Sequence, residues 1–297
     1  MSGEPPVALT IAGSDSGSGA GIQADLKSMA ALGVLAATAI TTVTAQNTTA
    51  VTAVHHLPAA FVDQQITAVL DDLPVAAVKT GMLGTAEVVE LVARRAAAGD
   101  LPNLVVDPVM VSSSGHRLLE DGGVDAYRRH LLPLALVATP NLWEAALLSG
   151  LDRDRLERVD GMVAAAAAIH RLGARWVLVK GGHLRGVEGS NGTQPPSQVP
   201  DVLYGVDGPT LITGAWVDTP NTHGTGCSLS AAIAARLAGG AGVPEAVDDA
   251  KRFVQRALVG SAGWRLGRGH GPLDHLGWTA ASGDRRSAPG TTAAGSQ

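Results

Sequence analysis

The chain has 297 residues, 45% of them hydrophobic, which is enough for a sizeable core in one large domain or two small ones. A net charge of -5 and an aromatic content of 3% supply neither the basic footprint nor the stacking platforms of a nucleic-acid binder. The single cysteine, Cys227, excludes an internal disulfide and any multi-cysteine zinc site, which fits a reducing, cytoplasmic setting; no signal-like run opens the chain, and no apolar stretch approaches the length of a membrane span.

In chain order, Val7 to Ala12 is a short apolar strand leading into the glycine-rich loop Gly13-Ser14-Asp15-Ser16-Gly17-Ser18-Gly19-Ala20-Gly21. Ile22, Leu26, Met29 and Leu32 then carry helical spacing, closed by Gly33. Ala36 to Val43 predicts a strand, Phe61 to Leu70 a helix, Val75 to Val78 a strand, Ala86 to Ala97 a helix and Leu104 to Val106 a strand. The alternation continues with a strand at Val137 to Ala138, helices at Leu142 to Leu148 and Val163 to Leu172, and a strand at Trp176 to Val179. Short buried strands alternating with helices predict an α/β fold, a mainly parallel sheet with helices on both faces. Gly186 to Pro200 breaks the rhythm as a polar surface loop or flap, and Val202 to Tyr204 with Leu211 and Ile212 predict a small β-hairpin turning at Val206-Asp207-Gly208. Leu229 to Leu237 is an apolar, alanine-rich helix. The expected organisation is an extension over residues 1–6, one domain over 7–280 and a disordered tail over 281–297, which lacks any helical or strand period.

Asn221-Thr222-His223-Gly224-Thr225-Gly226-Cys227 reads as a loop entering that last helix. Successive N–H groups from Gly224 to Cys227, backed by the helix dipole, suit a phosphoryl group gathering charge, and the same field favours a thiolate at Cys227. The plain alternative is a tight turn beside a buried thiol. Ligands of open α/β sheets bind beyond the carboxyl ends of the strands, where Gly13 to Gly21, Gln46, Gly81-Met82, Asp107, Asn141 with Glu144, and Lys180 all fall. No Gly-Lys-Ser/Thr P-loop, His-Glu-x-x-His zinc site or Gly-x-Ser-x-Gly elbow is present. Asp107 and Glu144 offer carboxylates suited to magnesium, which binds through one or two of them plus substrate phosphates. Asn141 and Glu144 also have the spacing of a helix capping box, and both roles are compatible. Lys180, ending an apolar strand, points to a phosphate contact, with Lys79 ranked below it. Asp25, one turn into its helix, either anchors a ligand or complements the dipole.

These residues together resemble the ribokinase-type small-molecule kinases, and within them the hydroxymethylpyrimidine/phosphomethylpyrimidine kinase family of thiamin biosynthesis. The segments that carry the resemblance are Leu9-Thr10-Ile11-Ala12-Gly13-Ser14-Asp15-Ser16, Gly19-Ala20-Gly21-Ile22-Gln23-Ala24-Asp25, Val43-Thr44-Ala45-Gln46-Asn47-Thr48, Lys79-Thr80-Gly81-Met82-Leu83, Asp107-Pro108-Val109-Met110, Thr139-Pro140-Asn141, Val179-Lys180-Gly181-Gly182-His183, His223-Gly224-Thr225-Gly226-Cys227 and Gly269-His270-Gly271-Pro272. The resemblance implies a ribokinase-like fold without a large lid domain, ATP and Mg2+ as cofactors, a small pyrimidine as the partner, no nucleic acid or membrane, and a homo-oligomer. It further implies phosphorylation of 4-amino-5-hydroxymethyl-2-methylpyrimidine and then of its monophosphate. By the same resemblance Cys227 is the base and Gly224, Thr225 and Gly226 the phosphoryl cradle. Gln46 reads the ring edge, and Met82 with Gly13 and Asp25 completes the substrate side. Lys180 and Asn141 serve the nucleotide, and Asp107 with Glu144 the metal. Val111-Ser112-Ser113-Ser114-Gly115-His116 departs from the family pattern, and Gly186 to Pro200 is longer than usual. Pyridoxal kinase and a non-catalytic pyrimidine-binding relative stay open as alternatives.

Overall fold

The computed structural model describes residues 3–111, 118–182 and 198–279. Its strands are β1 (Val7–Asp15), β2 (Leu35–Gln46), β3 (Val51–His56), β4 (Val75–Thr80), β5 (Val105–Val106), β6 (Val137–Ala138), β7 (Trp176–Val179), β8 (Gln198–Gly205) and β9 (Gly208–Ala215). The helices are α1 (Gly21–Ala31), α2 (Ala59–Leu70), α3 (Ala86–Ala97), the single turn α4 (Gly123–Ala126), α5 (Leu142–Ser149), α6 (Val159–Arg171), α7 (Thr225–Ala238) and α8 (Val243–Ser261). One sheet holds all nine strands in the order β3-β2-β1-β4-β5-β6-β7-β8-β9. Strands β1, β2 and β4 to β7 run parallel, whereas β3, β8 and β9 join antiparallel to their neighbours at the two ends.

Because side chains alternate along a strand, each central strand feeds two cores. Leu9, Ile11, Val78, Val106, Val177 and Val179 enter the core under α2, α3, α5 and α6. Their neighbours Ala8, Ala77, Val105 and Leu178 enter the core under α1, α7 and α8. On that second face small residues meet small residues: Ala231, Ala232, Ala234 and Ala235 of α7 are buried against it, which brings the helix close to the sheet.

Several boundaries differ from the sequence reading: β1 runs on to Asp15 and so takes in the start of the glycine-rich loop, and β2 reaches Gln46. The hairpin is built of eight-residue strands turning tightly between Gly205 and Gly208, and Gln198 to Pro200, assigned above to the polar loop, already belong to β8. The rest of that loop, Val111's downstream run and the tail lie outside the described residues. Helix α6 starts at Val159, and both β3 and α8 form where no element was expected. Among the described residues no helix is long and apolar enough to cross a membrane.

Candidate active site

The order of the strands reverses direction between β1 and β4, and at such a point open α/β sheets bind ligands in the crevice beyond the carboxyl ends of the strands. Gly13 of β1 and Met82, just past β4, meet across it: a Cβ at Gly13 would stand 2.1 Å from Met82 Cε, so only glycine lets the thioether side chain lie over the strand. Met82 is buried, and its carbonyl accepts from the Thr41 hydroxyl at 2.7 Å. Asp15 organises the glycine-rich loop that follows. Its Oδ1 accepts from Gly17 N–H at 2.8 Å, and its Oδ2 from Gly19 and Ala20 N–H at 3.1 and 2.8 Å. His223 Nε2 lies 2.8 Å from the same Oδ2, and Gln46, at the end of β2, stands beside the imidazole with Nε2 at 3.3 Å. Burial works against the Asp15 charge, yet His223 and the loop N–H groups outweigh it and hold the carboxyl below its ordinary range.

On the facing side, α7 begins immediately after Gly224, whose φ of 87° belongs to the left-handed region. A Cβ at Gly224 would stand 1.8 Å from the Gly19 carbonyl oxygen, so the loop of β1 and the entry to α7 touch at two glycines. No side chain caps α7. Of the N–H groups expected to form an anion cradle, that of Thr225 is taken by the Thr222 carbonyl at 3.2 Å, which leaves those of Gly224, Gly226 and Cys227 as candidates. A Cβ at Gly226 would come 3.1 Å from Lys180 Nζ, so an ammonium stands over the uncapped turn.

Cys227 corrects one expectation. The helix terminus alone would favour a thiolate, but burial pushes the thiol up to about 11, with the carboxylates Asp25 and Asp107 adding to the rise. The Lys79 ammonium and the Gly21 N–H at the start of α1 oppose it without prevailing. Desolvation is the larger effect because an anion loses more by leaving water than a helix end returns.

The carboxylates form a network with Lys180. Asp107 Oδ1 accepts from Lys180 Nζ at 2.8 Å and from the Thr139 hydroxyl at 3.2 Å, and Oδ2 from the Ser230 hydroxyl of α7 at 3.1 Å. Burial opposes the Asp107 charge, but Lys180 keeps its carboxyl below the ordinary range. Asn141 caps α5 as the spacing predicts: its Oδ1 accepts from Trp143 and Glu144 N–H at 2.9 and 3.0 Å, and Glu144 Oε2 accepts from Asn141 N–H at 2.7 Å. Burial and the charge of Asp107 drive Glu144 up to about 7 even though Lys180 pulls it down. Among the described residues no group of three or more His, Cys, Asp or Glu could enclose a metal ion. Two carboxylates already hydrogen-bonded suit a hydrated ion carried in with phosphates, the habit of magnesium.

Asp25 departs from the role given to it above. It is fully buried, its oxygens 2.8 and 3.0 Å from Lys79 Nζ, and the Thr10 hydroxyl donates to Oδ2 at 2.6 Å. Thr10 and Lys79 are paired across β1 and β4 and both point toward α1 and α7, which explains why this ion pair sits underneath the crevice rather than in it. Burial opposes the Lys79 charge, and Asp25 more than restores it.

The family model described as phosphomethylpyrimidine kinase matches residues 15–274. The chain belongs to the phosphomethylpyrimidine kinase family. The hydroxymethylpyrimidine/phosphomethylpyrimidine kinase of Streptomyces coelicolor is 47% identical over 274 residues, covering 92% of this chain and 95% of that one. Among solved structures, the phosphomethylpyrimidine kinase of Clostridium difficile superimposes with a TM-score of 0.71 at 38% identity, over 85% of this chain and 99% of that one. The Staphylococcus aureus pyridoxal kinase in complex with AMP-PCP and pyridoxal gives 0.80 at 35% identity, over 93% and 95%. The fold of this family member is ribokinase-like.

The sequence reading gave no role to Asp15, His223, Thr139 or Ser230, although the structure joins all of them to the expected residues. Asp15 carried a usable signal, since an aspartate inside a glycine-rich loop commonly accepts from N–H groups a few residues on. His223 carried none, because its partners lie on another strand.

Proposed function

We propose that the protein phosphorylates the 5-hydroxymethyl oxygen of 4-amino-5-hydroxymethyl-2-methylpyrimidine with ATP, and then phosphorylates the monophosphate to the diphosphate used in thiamin biosynthesis. The observation that carries this reading is the place of Cys227 in the uncapped first turn of α7, with Lys180 Nζ over that turn and the Gly21 N–H that opens α1 acting on the thiol. Gln46, beside His223 at the end of β2, offers an amide to a ring edge. The Cys227 thiolate takes the hydroxyl proton to become the thiol, while the Gly224, Gly226 and Cys227 N–H groups and Lys180 meet the charge of the moving phosphoryl group. Asp107 and Glu144 would hold Mg2+ through its waters, and the ion when bound neutralises phosphate charge. Asn141, at the cap of α5 and bridged to Lys180, would lie on the nucleotide side. On the same reading Gly13 and Met82 form the floor under the ring, and the enzyme works in the cytoplasm as a homo-oligomer, whose size light scattering measures.

Phosphorus NMR with ATP and magnesium, offered the pyrimidine, its monophosphate and pyridoxal in parallel, tests the assignment. Both the pyrimidine monophosphate and diphosphate are expected. Turnover of pyridoxal alone would assign the protein to vitamin B6 salvage, a second reading favoured by the fit to the pyridoxal kinase structure. Replacing Gln46 with Leu is expected to weaken pyrimidine binding while leaving ATP binding intact, as isothermal titration would read; equal pyrimidine affinity would remove Gln46 from the site.

A further inference from the structure

His223 and Asp15 stand 208 residues apart in the chain and are both buried where the loop of β1 meets the entry to α7. A Cβ at Gly19 would come 2.2 Å from His223 Cδ2, and the His223 N–H donates to the Gly271 carbonyl at 3.1 Å. The imidazole therefore has one place to be, with Nε2 on the Asp15 carboxylate at 2.8 Å. A carboxylate that already receives Gly17, Gly19 and Ala20 N–H groups can only accept, so Nε2 must carry a proton and donate it.

That proton decides what Gln46 can do. An Nε2–H imidazole cannot accept from an amide NH2, so a Gln46 Nε2 at 3.3 Å would face donor to donor. At the other end of the amide, the Thr44 hydroxyl is 3.2 Å from Gln46 Oε1 and 2.8 Å from the Ser14 carbonyl. A hydroxyl has one proton, and the shorter contact to Ser14 uses it, leaving acceptor facing acceptor at Gln46. Turning the amide over resolves both ends at once: Oε1 shares the imidazole proton and Nε2 donates to Thr44.

We propose that His223, oriented by Asp15, sets the polarity of the Gln46 amide, with Oε1 toward the imidazole and Nε2 toward Thr44, and thereby determines which ring edge the site accepts. The second Nε2 proton and second Oε1 lone pair remain for a ligand, so the edge selected is a ring nitrogen acceptor next to an exocyclic amino donor. An edge lacking the amino donor leaves the second Oε1 lone pair without a partner and binds less well. The identity of the ring rests on the kinase reading above, whereas the amide polarity does not. His223 is accordingly a positioning residue.

Two measurements test this. The long-range proton-nitrogen spectrum of histidine-labelled wild-type protein, with the His223 signals identified by their loss in His223→Leu, is expected to show Nε2 protonated at neutral pH. A bare Nε2 overturns the proposal whatever the protein phosphorylates. In steady-state kinetics, His223→Leu is expected to raise KM for the aminopyrimidine about tenfold with kcat and KM for ATP little changed. His223→Gln, which can keep an N–H on Asp15, should recover most of that loss. An unchanged KM in His223→Leu, or failure of His223→Gln to differ from it, overturns the positioning role.

Discussion

On the proposed reading Cys227 accepts the hydroxyl proton, although burial pushes its thiol up to about 11. The charged form is scarce at neutral pH, so its supply should limit the rate. Accordingly kcat is expected to climb about tenfold per unit between pH 7 and 9 and to lose that slope in Cys227→Ala, whose turnover falls by about 10² to 10⁴-fold. A flat wild-type profile with a fully active mutant would remove Cys227 as the base. Glu144 titrates with the opposite practical consequence. Its folded value, raised to about 7, exceeds the unfolded one, so its contribution to stability is complete below about pH 4 and is lost as the pH rises through about 7. Chemical denaturation across that range is expected to show stability declining in the wild type and a flatter course in Glu144→Gln.

At the level of elements, the entry to α7 depends on two glycines for different reasons. Gly224 has a φ of 87° and no room, because a Cβ would sit 1.8 Å from the Gly19 carbonyl oxygen. Gly226 is helical, and its Cβ would meet only the end of the Lys180 side chain at 3.1 Å. Gly224→Ala is therefore expected to lose stability, the left-handed backbone alone costing about 1–2 kcal/mol, and to lose activity as well. Gly226→Ala should keep the melting temperature, since alanine suits a first helical turn, and lower kcat by shifting Lys180. Equal thermal stability of the two variants would contradict this division. Helix α8 shows what period reading can overlook: Val243, Ala246, Val247, Ala250, Phe253, Val254 and Ala257 are buried at helical spacing behind a proline at its start, a pattern present in the sequence but not read there. Strand β3 is different. Its residues are half-exposed at the sheet edge, and its pairing to β2 across the Asn47 turn gives no apolar run to find.

Across the whole molecule, the Asp25–Lys79 pair fastens α1 to the central strands beneath the crevice, with both side chains fully excluded from water. Such a pair is costly to form and costlier to break. Lys79→Met is expected to cost about 3–5 kcal/mol in urea unfolding by leaving Asp25 uncompensated, and adding Asp25→Leu should return much of it. A double variant no more stable than the single one would mean that the pair does more than balance charge.

The sequence by itself determined the alternating strands and helices, the glycine-rich loop, the capping box at Asn141 and the placement of Gln46, Asp107, Lys180 and Cys227 at strand or helix ends, because period, turn residues and caps act over a few neighbouring residues. It also carried enough motif order for the family to be read. Only the tertiary structure decided that Asp25 serves Lys79 beneath the crevice, that Asp15 meets His223, and that the Cys227 thiol is raised. Those outcomes depend on charge, hydrogen bonding and loss of water among groups far apart in the chain, and no such field exists until β1, β4, α1 and α7 are packed together.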